Sequence, residues 1–377
     1  MPNFTPKILD SVTAIRREEW DSVFGDIPEG YEFYKTLEES ALQDFDFYYL
    51  ALYQDGCIIS IAPLFVTDFN ADIATEGITE KIIQEVRKRL IPRLLVFKAL
   101  FCGSPFGENG VLGIKEGSGR REVIVQMVKA MREFCLGQGI PLIIFKDFLV
   151  KDTASLDCLL SRGFFKVKSF PSVITELNFS NFNEYLESLK VSTKKSLRKK
   201  INKAYLSAEI KVETAENIDD ISEEIFRLYE NIYHNGTTKF ERLTKEFFIL
   251  ALKNLKPHCK CFLYYLNGKL SAFNLCFVYK DLFIDKFIGF DYEVSRKYNL
   301  YFVSWCFNVE WCLNNSILFY QTGQTDYHPK LMLGGKLVPL YAYLQHRNPL
   351  FNLLLKFLAL LLRPENFDQN IRENADI

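Results

Sequence analysis

The stretch CFLYYLNGKLSAFNLCFVYKDLFIDKFIGF, Cys261 to Phe290, restricts the fold more than any other part of the chain. It is three β-type apolar runs in succession. Asn267-Gly268 separates the first two and is a strong type I′ hairpin signal, because both central residues of that turn need φ > 0. Lys280-Asp281 marks the second turn. The stretch therefore predicts an antiparallel three-strand meander. Asp285 and Lys286 lie in the middle of its third run and point to opposite faces. A charge inside so aromatic a strand needs a partner. Either an ion pair closes the sheet, or one of the charges serves a cleft.

Around the meander the spacing is helical. DDISEEIFRLYENIYHN and LTKEFFILALKNLK precede it with apolar residues at helical intervals. The polar loop DYEVSRKYN follows it. LYFVSWCFNVEWCLNN, Leu300 to Asn315, is apolar almost all round, as a buried helix is. Then come the strand SILFYQ, the polar stretch QTGQTDYHPKLMLGGK and the strand VPLYAYLQHR. The first half has a similar order. FYYLALYQDGCIISIAPLFV is a hairpin around Gln54-Asp55-Gly56, and RLLVFKALFCGSPFGENGVLGI is a strand with a Gly/Pro-rich loop. RREVIVQMVKAMREFCLGQG is an amphipathic helix ended by glycines. PLIIFKDF is a strand, TASLDCLLSRGFFKV a short helix and a strand, and SVITELNF a last strand. No sequence identity repeats, but the element order does. The expected class is α+β, with two tandem copies of one fold, each a mixed, mostly antiparallel sheet flanked by helices. The chain has 377 residues, which accommodates two domains, expected at 1–180 and 181–377.

The formal net charge is -1, so any polyanion site must be local. Cys57, Cys102, Cys276, Cys306 and Cys312 lie inside apolar runs and read as buried free thiols of a reducing compartment. Cys259-Lys-Cys261 lacks zinc-knuckle spacing. His234, His258, His328 and His346 form no motif, so no metal is expected. No Ser-His-Asp order, His-Glu-x-x-His or Cys-x-x-Cys pattern supports a hydrolase or a zinc site. The N-terminal residues have no apolar leader-like core, and no run of about 20 apolar residues could span a bilayer. PLFNLLLKFLALLLRP, residues 349–364, is too short to span. It is either a C-terminal helix packed on the core or a segment lying in a membrane interface. The expected location is cytoplasmic, with a peripheral contact at the inner membrane face through 349–364.

Four stretches carry a family resemblance. LLSRGFFKV resembles the end of a GNAT domain. NFNEYLESLKVSTKKSLRKKINKA, Asn181 to Ala204, resembles the passage between domains in which a short helix runs into a basic one. DYEVSRKYNLYFVSWCFNVEWC resembles the acyl-carrier loop and its following helix. DYHPKLMLGGKLVP resembles a Tyr-x-x-Lys…Gly…Pro close. In this order they resemble the doubled GNAT arrangement of the Fem-type aminoacyltransferases and the related peptidoglycan biosynthesis/recognition proteins, over nearly the whole chain. The resemblance implies an N-acyltransferase that moves an acyl or aminoacyl group from an activated thioester or ester onto an amine. The acceptor would be a small-molecule or cell-envelope precursor. The first domain would be degenerate and on the acceptor side, and the second would carry the donor, acyl-CoA or aminoacyl-tRNA. The alternatives are a non-catalytic GNAT-fold binding or scaffold protein that has lost its donor site, and a membrane-surface-associated acyltransferase.

The candidate residues follow. Arg296, Lys297 and an N-capping Asn299 stand before the buried helix, whose N-terminus suits a phosphate or is a solvated, capped helix start. In GNAT enzymes this place resembles the coenzyme A pyrophosphate site. SRKYNLY has no glycine there, a departure that fits aminoacyl-tRNA or a degenerate site. Lys195 and Lys199 share a helical face with Lys203, and Lys194 and Arg198 lie beside it, over an apolar stripe of Leu197, Ile201 and Ala204. Such a face either binds a phosphate backbone, as in a tRNA contact, or is simply solvated. Asp285 or Asp291 could serve as a base near the acceptor amine. The resemblance places a proton-donating tyrosine at Tyr327, with Tyr320 as the alternative, and an anion-holding lysine at Lys330. Gln324 joins Lys195, Arg198 and Lys199 as a substrate contact. Residues 101–113 are either a substrate-shaping loop or a hairpin-like connection.

Overall fold

A computed structural model of the chain describes residues 4–70, 96–235 and 242–374. It contains two sheets, each with helices on both faces. The strands are β1 (Phe4–Leu9), β2 (Asp46–Gln54), β3 (Cys57–Asn70), β4 (Val96–Cys102), β5 (Gly113–Ile114), β6 (Leu142–Leu149), β7 (Phe165–Lys168) and β8 (Ser172–Glu176). They continue with β9 (Ile210–Ala215), β10 (Cys259–Leu266), β11 (Lys269–Tyr279), β12 (Leu282–Phe290), β13 (Phe319–Gln321), β14 (Lys336–Val338) and β15 (Leu340–His346). The strand expected from Arg93 begins at Val96 within the described residues; 93–95 lie outside them.

One sheet runs β1-β2-β3-β4-β6-β15-β7, with β5 on β3, and the other runs β14-β8-β13-β12-β11-β10-β9. The predicted meander is β10-β11-β12, turned at Asn267 (φ 47) and Gly268 (φ 80). The first-half hairpin turns in the same way at Asp55 (φ 51) and Gly56 (φ 80). Both pairs are left-handed, as a type I′ turn requires. Each sheet has one parallel junction, β4 with β6 and β12 with β13. The helices Arg120–Gln138 and Leu300–Asn314 make the two crossovers.

The compact units are not the contiguous halves 1–180 and 181–377. One comprises 1–26, 43–171 and 339–377, and the other 27–42 and 172–338. The reason is a reciprocal exchange of closing strands. β8 follows β7 in sequence but lies between β13 and β14, with Ile174 opposite both Gln321 and Lys336. β15 follows β14 but lies between β6 and β7, with Leu344 opposite both Ile144 and Phe165. An antiparallel register is satisfied equally well by a strand from either half, so element order alone does not decide which sheet receives it.

In the first unit, Val123, Ile124, Met127, Val128 and Met131 of the crossover helix pack on Leu50, Leu64, Leu100 and Phe145. On the opposite face Phe65 and Phe101 stack at 4.6 Å. Leu355 of the helix Pro349–Leu361 is buried there, with Leu358 and Ala359 against the same cluster. The rest of that helix is different. Leu350, Leu353, Leu354, Phe357, Leu360 and Leu361 are exposed. Thus the C-terminal helix packs on the core along one stripe only. Among the described residues no helix is long and apolar enough to cross a membrane.

In the second unit, the helices Val191–Ser207 and Leu300–Asn314 cover one face through Leu197, Ala204, Val303 and Val309, against Phe262, Tyr264 and Phe283. The other face carries the helices Tyr31–Glu39, Ser222–Asn235 and Lys245–Asn254. Their aromatic rings interlock with the sheet, Phe33 with Phe277 at 5.9 Å and Phe247 with Phe287 at 5.4 Å. Seven of the nine cysteines are buried and all nine are free thiols. Cys57 departs from the expectation and is exposed, because it directly follows the Asp55-Gly56 turn.

Strand exchange gives a direct prediction. A chain divided after residue 180 leaves one fragment without β15 and the other without β8. Each fragment expressed alone should fail to give a cooperative thermal transition, and coexpression should restore it. A cooperative melt from fragment 1–180 alone would show that β15 is dispensable for the first sheet.

Candidate functional site

The site begins with an irregularity in β12. The β11–β12 register shifts between Leu275 and Cys276, so that Leu275 faces Phe287 while Cys276 faces Asp285. Lys286 is the extra residue of this bulge. The result separates the two mid-strand charges. Lys286 turns into the aromatic face, where its Nζ lies 2.6 Å from Glu29 Oε1 and 5.8 Å from the Phe33 ring. The side chains of this pair are 1% and 8% exposed, so it closes the sheet's aromatic layer. Removing one partner from such a pair strands the other charge in the core.

Asp285 turns to the opposite face, beneath the helix Leu300–Asn314. Its carboxylate accepts from Asn274 Nδ2 at 2.5 Å, Tyr320 Oη at 2.7 Å and Asn308 Nδ2 at 3.3 Å. Asn308 also donates to Asn274 Oδ1 at 2.8 Å. Burial, and then the neighbouring Asp285 carboxylate, push the Tyr320 hydroxyl well above the ordinary phenol range. Tyr320 therefore stays protonated and donates.

Next to this network the sheet opens. β12 and β13 share three register pairs, Leu282–Ile284 with Phe319–Gln321, and β12 then continues without β13. Besides Thr175 Oγ1 and Tyr264 Oη, four buried polar atoms on the crossover helix and on the stretch after β13 have no hydrogen-bond partner among the described residues. They are Tyr301 Oη, Asn308 Oδ1, Thr322 Oγ1 and Gln324 Nε2. Tyr301 begins the crossover helix. Burial, then Asp285 and Asp326, push its hydroxyl far up, so it too remains a donor. An unpaired buried polar group costs on the order of 1–3 kcal/mol, so each of these atoms is a candidate to meet a ligand or water.

The expected donor-side residues take up definite positions. The segment read as a polar loop is the helix Tyr292–Tyr298, because Glu, Arg, Lys and Tyr all tolerate helix and the left-handed Asn299 (φ 54) can end it. Asn299 closes that helix and opens the next, and its side chain makes no capping hydrogen bond. Its Nδ2 instead lies 3.5 Å from the Lys200 carbonyl. Arg296 and Lys297 are exposed in the last turn, lying over the rings of Tyr292 at 5.6 Å and Tyr298 at 5.0 Å. Lys195, Arg198 and Lys199 are exposed on the basic helix, and Lys194 and Arg198 pair with Glu187. Lys200 is drawn inward, its Nζ 3.5 Å from the Phe302 ring centroid.

The closing stretch folds more tightly than its polarity suggests. Tyr327 is buried at the start of the helix Tyr327–Met332. Lys330 is buried as well, and its Nζ donates to the Thr322 carbonyl. Leu333 caps that helix, and the left-handed Gly334 (φ 93) follows it. A Cβ at Gly335 would overlap Val173 of β8. Asp291 lies apart from Asp285 at the far end of β12, where it faces Lys269 at 3.7 Å. The structure therefore gathers Asp285 with Asn274, Asn308 and Tyr320, and does not gather Asp285 with Asp291.

In the first unit, residues 103–112 are packed on β6 rather than left open. Gly110 N–H donates to the Asp147 carbonyl at 2.7 Å, where Asp147 is left-handed (φ 60). Asn274, Asn308, Tyr301 and Thr322 were not singled out by the sequence reasoning. Asn274 and Asn308 each interrupt an otherwise apolar element, and that is the signal that could have found them.

If the Asp285 network holds the two layers together, its members should differ in cost. Asp285→Ala strands three donors and should lower the urea unfolding free energy by about 3 kcal/mol, against about 1–2 kcal/mol for Tyr320→Phe. A loss below about 0.5 kcal/mol for Asp285→Ala would show that the network is not structural.

Comparison with known proteins agrees with this architecture. Residues 11–354 match the FemAB-like family, described as peptidoglycan biosynthesis/recognition. No curated protein matches the chain. The solved structure of FemX aligns with a TM-score of 0.57 at 11% identity, covering 93% of this chain and 100% of that one. A tandem GNAT protein from the clavulanic acid biosynthesis pathway aligns with a TM-score of 0.55 at 10% identity, covering 92% and 99%. L-PGS from Bacillus licheniformis aligns with a TM-score of 0.53 at 12% identity, covering 90% and 98%. At such identities the likeness is one of fold: two tandem GNAT-like domains. With the family match extending over nearly its whole length, the chain belongs to the FemAB-like peptidoglycan biosynthesis/recognition family.

Proposed function

We propose that the chain is an N-acyltransferase that moves an aminoacyl group from aminoacyl-tRNA to an amine of a cell-envelope precursor. The observation that carries the proposal is the set of unpartnered buried polar atoms on the helix Leu300–Asn314 and on the stretch after β13, at Tyr301, Asn308, Thr322 and Gln324. Tyr301 and Gln324 supply donors for the ester carbonyl and for the oxyanion that develops on it. Asn308 Oδ1 and Thr322 Oγ1 supply acceptors for the attacking amine. The amine nitrogen bonds to the carbonyl carbon and the ester C–O bond breaks. The amine gives up its proton to Tyr327, which has passed its own to the departing tRNA hydroxyl oxygen. Tyr327 keeps the role the resemblance implies, proton donor to that oxygen. Asp285 positions Tyr320 and the two asparagines, and Asp291 takes no part. An activated ester needs little beyond such positioning.

Three features support the choice of donor over acyl-CoA. The segment that would wrap a pyrophosphate is the helix Tyr292–Tyr298, without glycine. Lys330 is turned to a backbone carbonyl. Lys195, Lys199, Lys203, Arg296 and Lys297 are exposed cations with no ion pair among the described residues, as a long polyanion would require.

The alternative of a GNAT-fold binding protein without a donor site draws on the same inward-turned Lys330. Filter binding and transfer assays with aminoacyl-tRNA and with acetyl-CoA separate the cases. Aminoacyl-tRNA should bind, and Lys195→Ala/Lys199→Ala/Arg296→Ala should weaken it at least ~10-fold, with a salt slope lower by about one per charge removed. Tyr301→Phe should bind tRNA normally, melt no lower than the parent and lose roughly 10²-fold in transfer. Binding of acetyl-CoA alone would overturn the donor, and binding of neither would favour the scaffold.

A further inference from the structure

We propose that the helix Pro349–Leu361 is a docking surface for an anionic phospholipid membrane. Its sequence has two apolar stripes. One, at Leu355, Leu358 and Ala359, is packed on the first unit's sheet. The second, at positions 350, 353, 354, 357, 360 and 361, recurs at i, i+3, i+4 and i+7 and so forms a single separate face. It is turned to solvent, with Leu350 73%, Phe357 59% and Leu361 67% exposed. With Phe351 on its border, the surface amounts to about four whole Leu or Phe side chains, on the order of 600 Å². That is at or above the largest apolar patch a soluble monomer ordinarily shows.

The charge around this face selects the occupant. No Asp or Glu occurs between Arg347 and Pro364. Arg347 and Arg363 stand at the two ends and Lys356 on the flank, all three exposed. None of them forms an ion pair among the described residues. The nearest acid along the chain, Glu365, is already held by Lys168 at 2.8 Å. Thirteen helical residues reach about 20 Å, too short to cross a bilayer but long enough to lie in its interface. Leucine and phenylalanine would enter the acyl boundary while Arg347, Lys356 and Arg363 reach lipid phosphates with their long stems. A protein partner of ordinary surface would leave three cations unpaired around a flat apolar stripe, whereas an anionic bilayer answers both features at once.

The test is flotation of the full chain with vesicles of phosphatidylcholine, alone or with about one third phosphatidylglycerol. The chain should float with the anionic vesicles and be released by salt. Leu354→Ser/Phe357→Ser should reduce partitioning at least ~10-fold, and Lys356→Gln/Arg363→Gln about fivefold per charge. Both variants should keep the parent's circular dichroism and melting temperature, since the altered residues are exposed. No flotation of the parent, or equal flotation of Leu354→Ser/Phe357→Ser, would overturn the proposal. A lipid-free dimer that the same substitutions dissociate would assign the stripe to a second copy and likewise overturn it. Equal binding to neutral vesicles would overturn the anionic assignment. Flotation does not depend on aminoacyl transfer, so the two proposals fail separately.

Discussion

The structure depends on the hydrogen bonding of two exchanged strands. β13 and β14 have three residues each, too few to form a stable sheet edge by themselves. β8 lies between them and pairs with both, so this end of the second sheet rests on a strand from well over a hundred residues upstream. The polar stretch after β13 inherits its position from the same arrangement. Thr322 N–H donates to Val173 of β8, and Gly335 must lack a side chain because Val173 occupies that space. β15 plays the matching part between β6 and β7.

The second organising feature is the bulge in β12. A regular strand would send Asp285 and Lys286 to opposite faces and then continue alternating. The extra residue instead puts Lys286 and Phe287 together against the aromatic helices, and leaves Asp285 alone beneath Leu300–Asn314. One face gains a buried ion pair that cannot tolerate loss of one partner. The other gains a carboxylate whose donors are all held by packed elements. A site needs both a rigid frame and groups left over for a ligand. Here the frame is Asp285, Asn274, Asn308 and Tyr320, and the groups left over are on Tyr301, Thr322 and Gln324.

Much of this was legible in the residues. The type I′ turn at Asn267-Gly268 and the crossover helix ended at Gly139 both follow from local chemistry, since positive φ and apolar period are properties of a few adjacent residues. The need for a partner at Asp285 and at Lys286 followed from burial cost alone. The partners themselves were not legible. Glu29 lies far upstream, and Asn274 and Asn308 come from two other elements. The helix Tyr292–Tyr298 was hidden because its composition fits a loop equally well.

The sequence by itself therefore determined the doubled α+β order, the meander and the apolar faces of the helices. Each is a short-range pattern that the backbone converts directly into an element. Only the tertiary structure decided which sheet each closing strand joins, which way Lys330 points and which polar atoms remain unpaired. Those outcomes depend on competition between distant segments for the same hydrogen bonds and the same buried space, and no local pattern records who wins.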